Sequence, residues 1–137
     1  WMALIHGAKG IGYFCHTWVP TPVEAGLLQD AEMAAAVKVI DAEVTALAPV
    51  LNSTTTQGYA KVSSSNSAIP VDIMTKNYNK ANYLFAIAMR PGDTKATFEV
   101  KSGKKAEVIG ENRTIKIKNG KFSDDFTHYA VHRYKIN

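Results

Sequence analysis

Two side chains near the start of the chain, His16 and Trp18, have the chemistry needed to bind a sugar ring. An indole suits the apolar face of a pyranose, and an imidazole can hydrogen-bond the hydroxyl groups on its rim. Both residues lie at the end of an apolar run at residues 11–16, before a loop that contains Pro20 and Pro22. The alternative is that Trp18 packs beneath this loop and that His16 is a hydrogen-bonded interior histidine.

No other group of residues predicts a catalytic or metal site. Glu24 stands alone in its loop, where a carboxylate is usually solvated. Asp124-Asp125 could bind calcium, although such a pair is more often a turn-forming device. The four histidines lack the spacing to cysteines or carboxylates that metal sites show; they are His6, His16, His128 and His132. We therefore assign no catalytic residue, no metal and no cofactor.

The segments that must position His16 and Trp18 have the pattern of helix, strand and helix. Residues 1–8 are apolar on nearly every side and predict a buried helix. Residues 11–16 lack alternation, which favours a strand covered on both faces. Residues 28–47 predict a long helix, with Asp30 as a candidate N-cap and Pro49 as its end. Its apolar stripe recurs every three or four positions and comprises Met33, Val37, Ile40, Val44, Leu47 and Leu51.

Composition and charge change near residue 52, although the whole chain has a net charge of +4. Residues 1–51 carry two lysines against five acidic residues, whereas residues 52–137 carry 14 basic against 7 acidic residues. A polar stretch at residues 52–56 lies at this change and is typical of a domain boundary. We predict two parts, residues 1–52 and residues 53–137.

The second part contains short strand-like runs separated by turn residues, as in a β-sandwich. Residues 115–118 alternate isoleucine with lysine, the pattern of a strand with one buried face. Asn119-Gly120 favours a tight reversal, because both residues tolerate positive φ. Tyr134 and Ile136 should face inward. Strands are predicted at residues 59–63, 69–74, 83–89, 96–100, 106–109, 114–118 and 130–136. The predicted fold class is α+β, with helix, strand and helix before an antiparallel β-sandwich.

Both parts resemble one known architecture. Residues 110–115, 119–122, 125–126 and 131–134 resemble the closing strands of the small β-sandwich that follows the (β/α)8 barrel in many bacterial glycoside hydrolases. Residues 1–14 resemble the seventh helix and eighth strand of such a barrel, and residues 28–47 would be its eighth helix. The resemblance implies the C-terminal part of such an enzyme, with the rest of the barrel upstream of Trp1.

The same resemblance implies roles for two residues. Barrel active sites form at the C-terminal ends of the strands, so Trp18 would line a sugar subsite and His16 would hydrogen-bond a hydroxyl. Hydrolysis of an O-glycosidic bond needs two carboxyl groups, which in these barrels come from strands four and seven. The parent enzyme would act on oligo- or polysaccharide, and the sandwich would pack against its barrel and stabilise it without catalysis by this chain.

Two other functions remain open. If the isolated chain were the whole molecule, a two-sided apolar strand without sheet neighbours would drive self-association, which would make the chain a homo-oligomer. A sandwich can also be a carbohydrate-binding module if three aromatic rings share one face. Candidates for such a face are Tyr59, Tyr78, Tyr83, Tyr129 and Tyr134.

Charge and hydropathy bear on the remaining partners. No apolar run reaches 18 residues, so we predict no membrane partner. The lysine-rich second part could attract an anionic polysaccharide or nucleic acid. Lysines on strands more often discourage edge pairing, and we predict no nucleic-acid partner. A polysaccharide-degrading parent would be secreted or periplasmic, although no residue indicates the compartment.

Overall fold

The computed structural model describes every residue of Trp1–Asn137. Three helices come first: α1 (Met2–Ile5), α2 (Gly26–Gln29) and α3 (Ala31–Leu51). None of them combines the length and the apolar character that crossing a lipid bilayer requires. Nine strands follow: β1 (Thr54–Thr55), β2 (Ala60–Ser64), β3 (Val71–Tyr78), β4 (Ala81–Ala88), β5 (Thr94–Val100), β6 (Lys105–Val108), β7 (Arg113–Lys116), β8 (Lys121–Phe126) and β9 (Val131–Ile136). The predicted α+β class, with a helix before an antiparallel sandwich, is confirmed.

The chain divides into two compact units. The helical unit is Gly10–Leu51, and the sandwich unit joins Trp1–Lys9 to Asn52–Asn137. The division at Leu51 lies one residue before the boundary predicted from composition. The first nine residues, which we had placed with the helices, lie with the strands.

Side-chain contacts explain why the first residues belong to the sandwich unit. Trp1 stacks on Phe85 of β4 with ring centroids 6.0 Å apart, and the Arg133 guanidinium lies 5.1 Å from the centre of the indole. His6 Nε2 lies 2.9 Å from Oδ2 of Asp72 on β3. An aromatic stack and a polar bond therefore hold α1 to two neighbouring strands.

The long helix, predicted at residues 28–47, spans Ala31–Leu51, so it begins and ends later than predicted. Oδ1 of Asp30 accepts a hydrogen bond from the Met33 N–H at 2.9 Å, which is the bond of a helix N-cap. The prediction that Pro49 ends the helix is wrong, since α3 continues to Leu51. Proline lacks an N–H, so at this position it removes only the bond to the Thr45 carbonyl, and the last turn tolerates the loss.

The strand predicted at residues 11–16 is wrong. No other segment pairs with these residues, and the nearest regular feature is one bridge between Thr17 and Val23. A strand needs a neighbour to satisfy its backbone N–H and C=O groups. All of these residues except the half-buried Cys15 are exposed, whereas a strand covered on both faces would be buried.

The strands form two antiparallel sheets. The first has the order β1-β3-β4-β9-β6-β7, and the second has the order β2-β5-β8. All seven strands predicted in the second part of the chain are present, with ends shifted by a few residues. Strands β1 and β8 were not predicted. Strand β8 matters most, because it supplies both aromatic and charged side chains to the space between the sheets.

The reversal between β7 and β8 has the predicted geometry. Asn119 and Gly120 have φ values of 51° and 72°. Lys118 and Lys121 exchange two backbone hydrogen bonds of 2.9 Å across the turn. Asn and Gly reach positive φ at lower cost than other residues. The Asn-Gly pair therefore sets the register with which β8 leaves the turn.

Aromatic rings fill the space between the two sheets. The ring of Phe98 on β5 lies 4.8 Å from that of Phe122, 6.2 Å from that of Phe126 and 5.4 Å from that of Tyr134. All four side chains are buried, and Tyr134 and Ile136 face inward as predicted. Because Tyr134 comes from the six-stranded sheet and the three phenylalanines from the other, these contacts join the sheets.

Candidate functional site

Three aromatic rings form an exposed row in the helical unit. The ring of Phe14 lies 5.2 Å from that of His16, which lies 5.9 Å from that of Trp18. The imidazole and the indole are close to parallel, with planes 17° apart. Phe14 is 75% exposed and Trp18 is 64% exposed. We call Phe14, His16 and Trp18 the aromatic row.

The residues between the three rings anchor the segment. The Tyr13 hydroxyl donates to Oδ1 of Asp41 on α3 at 2.9 Å, and the Cys15 carbonyl accepts the Leu27 N–H at 3.1 Å. Thr17 exchanges two backbone bonds with a residue farther along the loop, at 2.9 and 2.7 Å. Odd-numbered residues thus hold the segment, and the even-numbered rings are left for solvent.

A glycine allows the loop to close behind Thr17. A Cβ atom on Gly26 would lie 2.0 Å from Oγ1 of Thr17, far inside van der Waals contact. Gly26 is the first residue of α2, so the absent side chain lets this helix pack directly beneath the loop. The loop and the start of α2 therefore fix the place of Trp18 beside His16.

The structure shows that both predicted site residues are exposed, and their sugar-binding role stays a prediction. Trp18 does not pack beneath the proline loop, and His16 is exposed and not an interior histidine. The two residues lie side by side and open to solvent, as a binding role requires. Phe14 was missed by the sequence analysis. Its spacing of two from His16 and four from Trp18 was the available signal.

A cluster of polar side chains links the two sheets of the sandwich unit, and we call it the clamp. Arg113 on β7 donates from Nη1 and Nη2 to the two carboxylate oxygens of Asp124 on β8, at 2.9 and 2.7 Å. Its Nε donates to Glu111 at 2.7 Å. The Tyr134 hydroxyl on β9 donates to Oδ2 of Asp124 at 2.9 Å. The clamp consists of Glu111, Arg113, Asp124, His132 and Tyr134.

His132 completes the clamp between two oxygen acceptors. Its Nδ1 pairs with a carboxylate oxygen of Glu111, and its Nε2 lies 3.1 Å from the carbonyl oxygen of Asp125. Each nitrogen of the ring therefore faces an oxygen atom of the protein. The ring also meets Phe126 edge-on, with centroids 4.6 Å apart. His132 therefore joins the polar cluster to the aromatic core.

Burial and charge set the protonation states within the clamp. Burial by itself raises the pKa of Asp124, but hydrogen bonds from Arg113 and Tyr134 outweigh it and hold the pKa of Asp124 below its ordinary value. Burial and the Asp124 carboxylate raise the pKa of Tyr134. At neutral pH the clamp therefore holds a carboxylate between a guanidinium and a neutral phenol.

This arrangement suits a structural role better than glycoside hydrolysis. A glycosidase needs one carboxyl group that stays protonated and another that is ionised. Arg113 bonds both Glu111 and Asp124, and its bonds to Asp124 help to hold the pKa of that carboxyl below its ordinary value, which favours the ionised form. No three His, Cys, Asp or Glu side chains are grouped to hold a metal. The guanidinium is a cation of this cluster, and Asp124, for which a turn role was the preferred interpretation, lies within β8 and bonds Arg113.

The clamp is expected to contribute less to the free energy of unfolding in acid. Because the pKa of Asp124 is lowered by folding, its contribution is present above the unfolded pKa of about 3.9 and disappears as the pH falls through the folded value. The free energy of unfolding should fall more steeply below about pH 4 in the wild type than in Asp124→Asn. Urea unfolding at a series of pH values measures this. Asp125→Asn is the control, because the Asp125 side chain is 78% exposed, and its free energy of unfolding should depend on pH as that of the wild type does. Equal dependence of the free energy of unfolding on pH in all three proteins would refute the expectation.

The tyrosines do not form the exposed plane that a carbohydrate-binding sandwich face would need. Tyr59 and Tyr134 are buried, and Tyr78 and Tyr83 are half-buried. Tyr129 is the exposed member of the set, at 45%. The aromatic row of the helical unit is therefore the better candidate for contact with a ligand.

Comparisons of the chain with protein-family models, with curated proteins and with solved structures returned no match. The geometry of the aromatic row and of the clamp is therefore the basis on which a function is inferred.

Proposed function

We propose that this chain is the C-terminal part of a glycoside hydrolase. In this proposal Trp18 stacks on a sugar ring of the oligo- or polysaccharide substrate, and His16 hydrogen-bonds one of its hydroxyl groups. The sandwich unit stabilises the catalytic barrel of the parent enzyme, and the chain alone does not cleave its ligand. The observation that carries the proposal is the exposed aromatic row.

The physical chemistry of the row favours a sugar. The Trp18 indole is 64% exposed, and contact between water and this apolar surface is unfavourable. A ligand with an apolar face that stacks on the indole removes part of this surface from water. The imidazole, whose ring centre lies 5.9 Å from that of the indole, supplies a hydrogen-bond donor and an acceptor beside it. An apolar face with hydroxyl groups at its edge is the surface that a pyranose presents.

The carboxylates support binding without cleavage by this chain. The two carboxylates of the sandwich unit that lie close together, Glu111 and Asp124, both pair with Arg113. The lone Glu24 lies in the loop that follows Trp18 and has no carboxyl partner in the described interactions. The catalytic carboxylates of the proposed parent enzyme would come from other barrel strands.

Replacing Trp18 tests the proposal directly. We expect Trp18→Ala to weaken binding of a soluble hexasaccharide about tenfold or more, because the stacking surface is removed. The probes are hexasaccharides of β-1,4-linked glucose, xylose and N-acetylglucosamine, titrated by calorimetry and by tryptophan fluorescence. Leu28→Ala is the matched control, since Leu28 is 75% exposed in the same unit. Unchanged affinity in Trp18→Ala, or no binding of any probe by the wild type, would overturn the proposal.

Self-association through the helical unit is the second candidate function. Its large exposed apolar side chains are numerous for one small unit, and they include Ile11, Phe14, Trp18, Val19, Leu28, Met33 and Val39. An apolar surface of this kind can bind a second copy of the chain. Light scattering of the sugar-free protein separates the two candidates, because a monomer at all concentrations excludes self-association and leaves the sugar-binding proposal untouched.

A further inference from the structure

One end of the sandwich unit carries a dense group of lysines. They lie in two segments, residues 101–105 and residues 116–121, and every one of them is exposed. Neither segment contains an aromatic or an acidic residue. We call this group the lysine end; it consists of Lys101, Lys104, Lys105, Lys116, Lys118 and Lys121.

Backbone pairing brings the two segments together. Lys105 on β6 lies directly opposite Lys116 on β7. The Val100 N–H donates to the carbonyl of Gly120 at 2.8 Å, which places the Asn-Gly turn beside Lys101. Charges that lie up to 20 positions apart in the sequence therefore share one end of the fold.

Carboxylates neutralise little of this charge. Oε1 of Glu99 lies 2.6 Å from Nζ of Lys121, and this hydrogen bond lowers the pKa of Glu99. The other five lysines form no ion pair. Like charges that face each other across two strands, as Lys105 and Lys116 do, destabilise a sheet. A bound polyanion would remove this repulsion.

Protection of a sheet edge from pairing with another chain explains only some of the lysines of the lysine end. Strand β7 is an edge strand, and Lys116 there discourages pairing with another chain. Lys101 and Lys104 lie in the loop between β5 and β6, where there is no strand edge to protect. The loop lysines therefore need another explanation.

We propose that the lysine end binds an acidic polysaccharide, whose carboxylate or sulfate groups repeat along the polymer. This inference rests on the proposed function and narrows its substrate to a charged glycan. Nucleic acid fits less well, because single strands are held by aromatic side chains that stack on bases, and neither segment has one.

The test compares two triple variants with the same net charge. Lys101, Lys104 and Lys118 are changed to glutamine in the patch variant, and Lys38, Lys80 and Lys95 are changed to glutamine in the control variant. The probes are polygalacturonate, dextran sulfate, neutral dextran and single-stranded DNA, in low and in high salt. We expect the patch variant to bind the acidic glycans about tenfold more weakly than the wild type, as the loss of three exposed ion contacts implies. The control variant should bind like the wild type, and binding should weaken as salt screens the charges.

Each result leads to a decision. Loss in the patch variant alone supports the inference, and the preferred acidic probe shows whether carboxylate or sulfate is recognised. Equal loss in both variants would mean that only net charge matters, which overturns it, as would tighter binding of DNA than of either glycan. If the wild type binds neutral hexasaccharides through Trp18 but binds no acidic glycan, this inference is overturned and the proposed function is retained. A third result would overturn the proposed function alone. In that case acidic glycans bind through the lysine end, and the Trp18→Ala variant binds every sugar as the wild type does.

Discussion

Asp124→Ala should destabilise the sandwich unit by about 3 kcal/mol. Removing one member of a buried ion pair costs about 3–5 kcal/mol, because the other member is left without its partner. The Asp124 side chain is 10% exposed, but Arg113 is 36% exposed and keeps Glu111, so the loss should lie near the lower end. The Tyr134 hydroxyl, which is buried, also loses its acceptor.

The neighbouring aspartate provides the control for this prediction. Asp125 carries the same carboxylate one residue later, but its side chain is 78% exposed and pairs only with a surface lysine. Asp125→Ala should therefore change the free energy of unfolding by less than about 0.5 kcal/mol. In a Trp18→Phe background, Trp1 is the one tryptophan left, and its stack on Phe85 makes its fluorescence a probe of the sandwich unit in urea unfolding. Similar losses in the two alanine variants would show that the clamp contributes little.

Phe98→Ala should destabilise the sandwich unit by about 3–5 kcal/mol. The Phe98 side chain is fully buried and touches the rings of Phe122, Phe126 and Tyr134, so the substitution leaves a cavity between the two sheets. Strand β5, which carries Phe98, is paired with β2 on one side and with β8 on the other, and this pairing opposes collapse of the backbone into the space. The same urea experiment with Trp1 fluorescence measures the effect.

Two further variants keep the Phe98 prediction testable. Phe14→Ala makes the same chemical change at a 75% exposed ring and should cost less than about 0.5 kcal/mol. If Phe98→Ala does not fold, Phe98→Leu preserves more of the volume and should cost less while remaining measurable. A loss below about 1 kcal/mol in Phe98→Ala would mean that the rings repack, and that the core is less rigid than its contacts indicate.

The elements that the sequence predicts well are those whose signals are local. Helix α3 follows from an N-cap at Asp30 and from an apolar stripe whose members recur every three or four positions along the helix. The turn at Asn119 and Gly120 follows from the φ values that these two residues tolerate. Strands β2–β7 and β9 follow from short β-prone runs between turn residues. Local periodicity was sufficient in each case because no distant partner had to be known.

Strand β8 was missed because its sequence carries a conflicting signal. Ser123, Asp124 and Asp125 disfavour a strand, and the pair of aspartates resembles a turn. Alternation nevertheless places Phe122, Asp124 and Phe126 on one face. Asp124 is accepted on that inward face because Arg113 and Tyr134, from two other strands, meet its carboxylate. No pattern within β8 reveals those partners.

By itself the sequence determined the α+β class, the N-cap at Asp30 and the turn at Asn119 and Gly120. Tertiary structure alone decided that residues 11–16 are not a strand, that Phe14, His16 and Trp18 form an exposed row, and that a clamp joins the sheets. The reason is physical: helix, turn and strand preferences act between near neighbours. Burial, exposure and ion pairing depend on which distant segments the folded chain brings together.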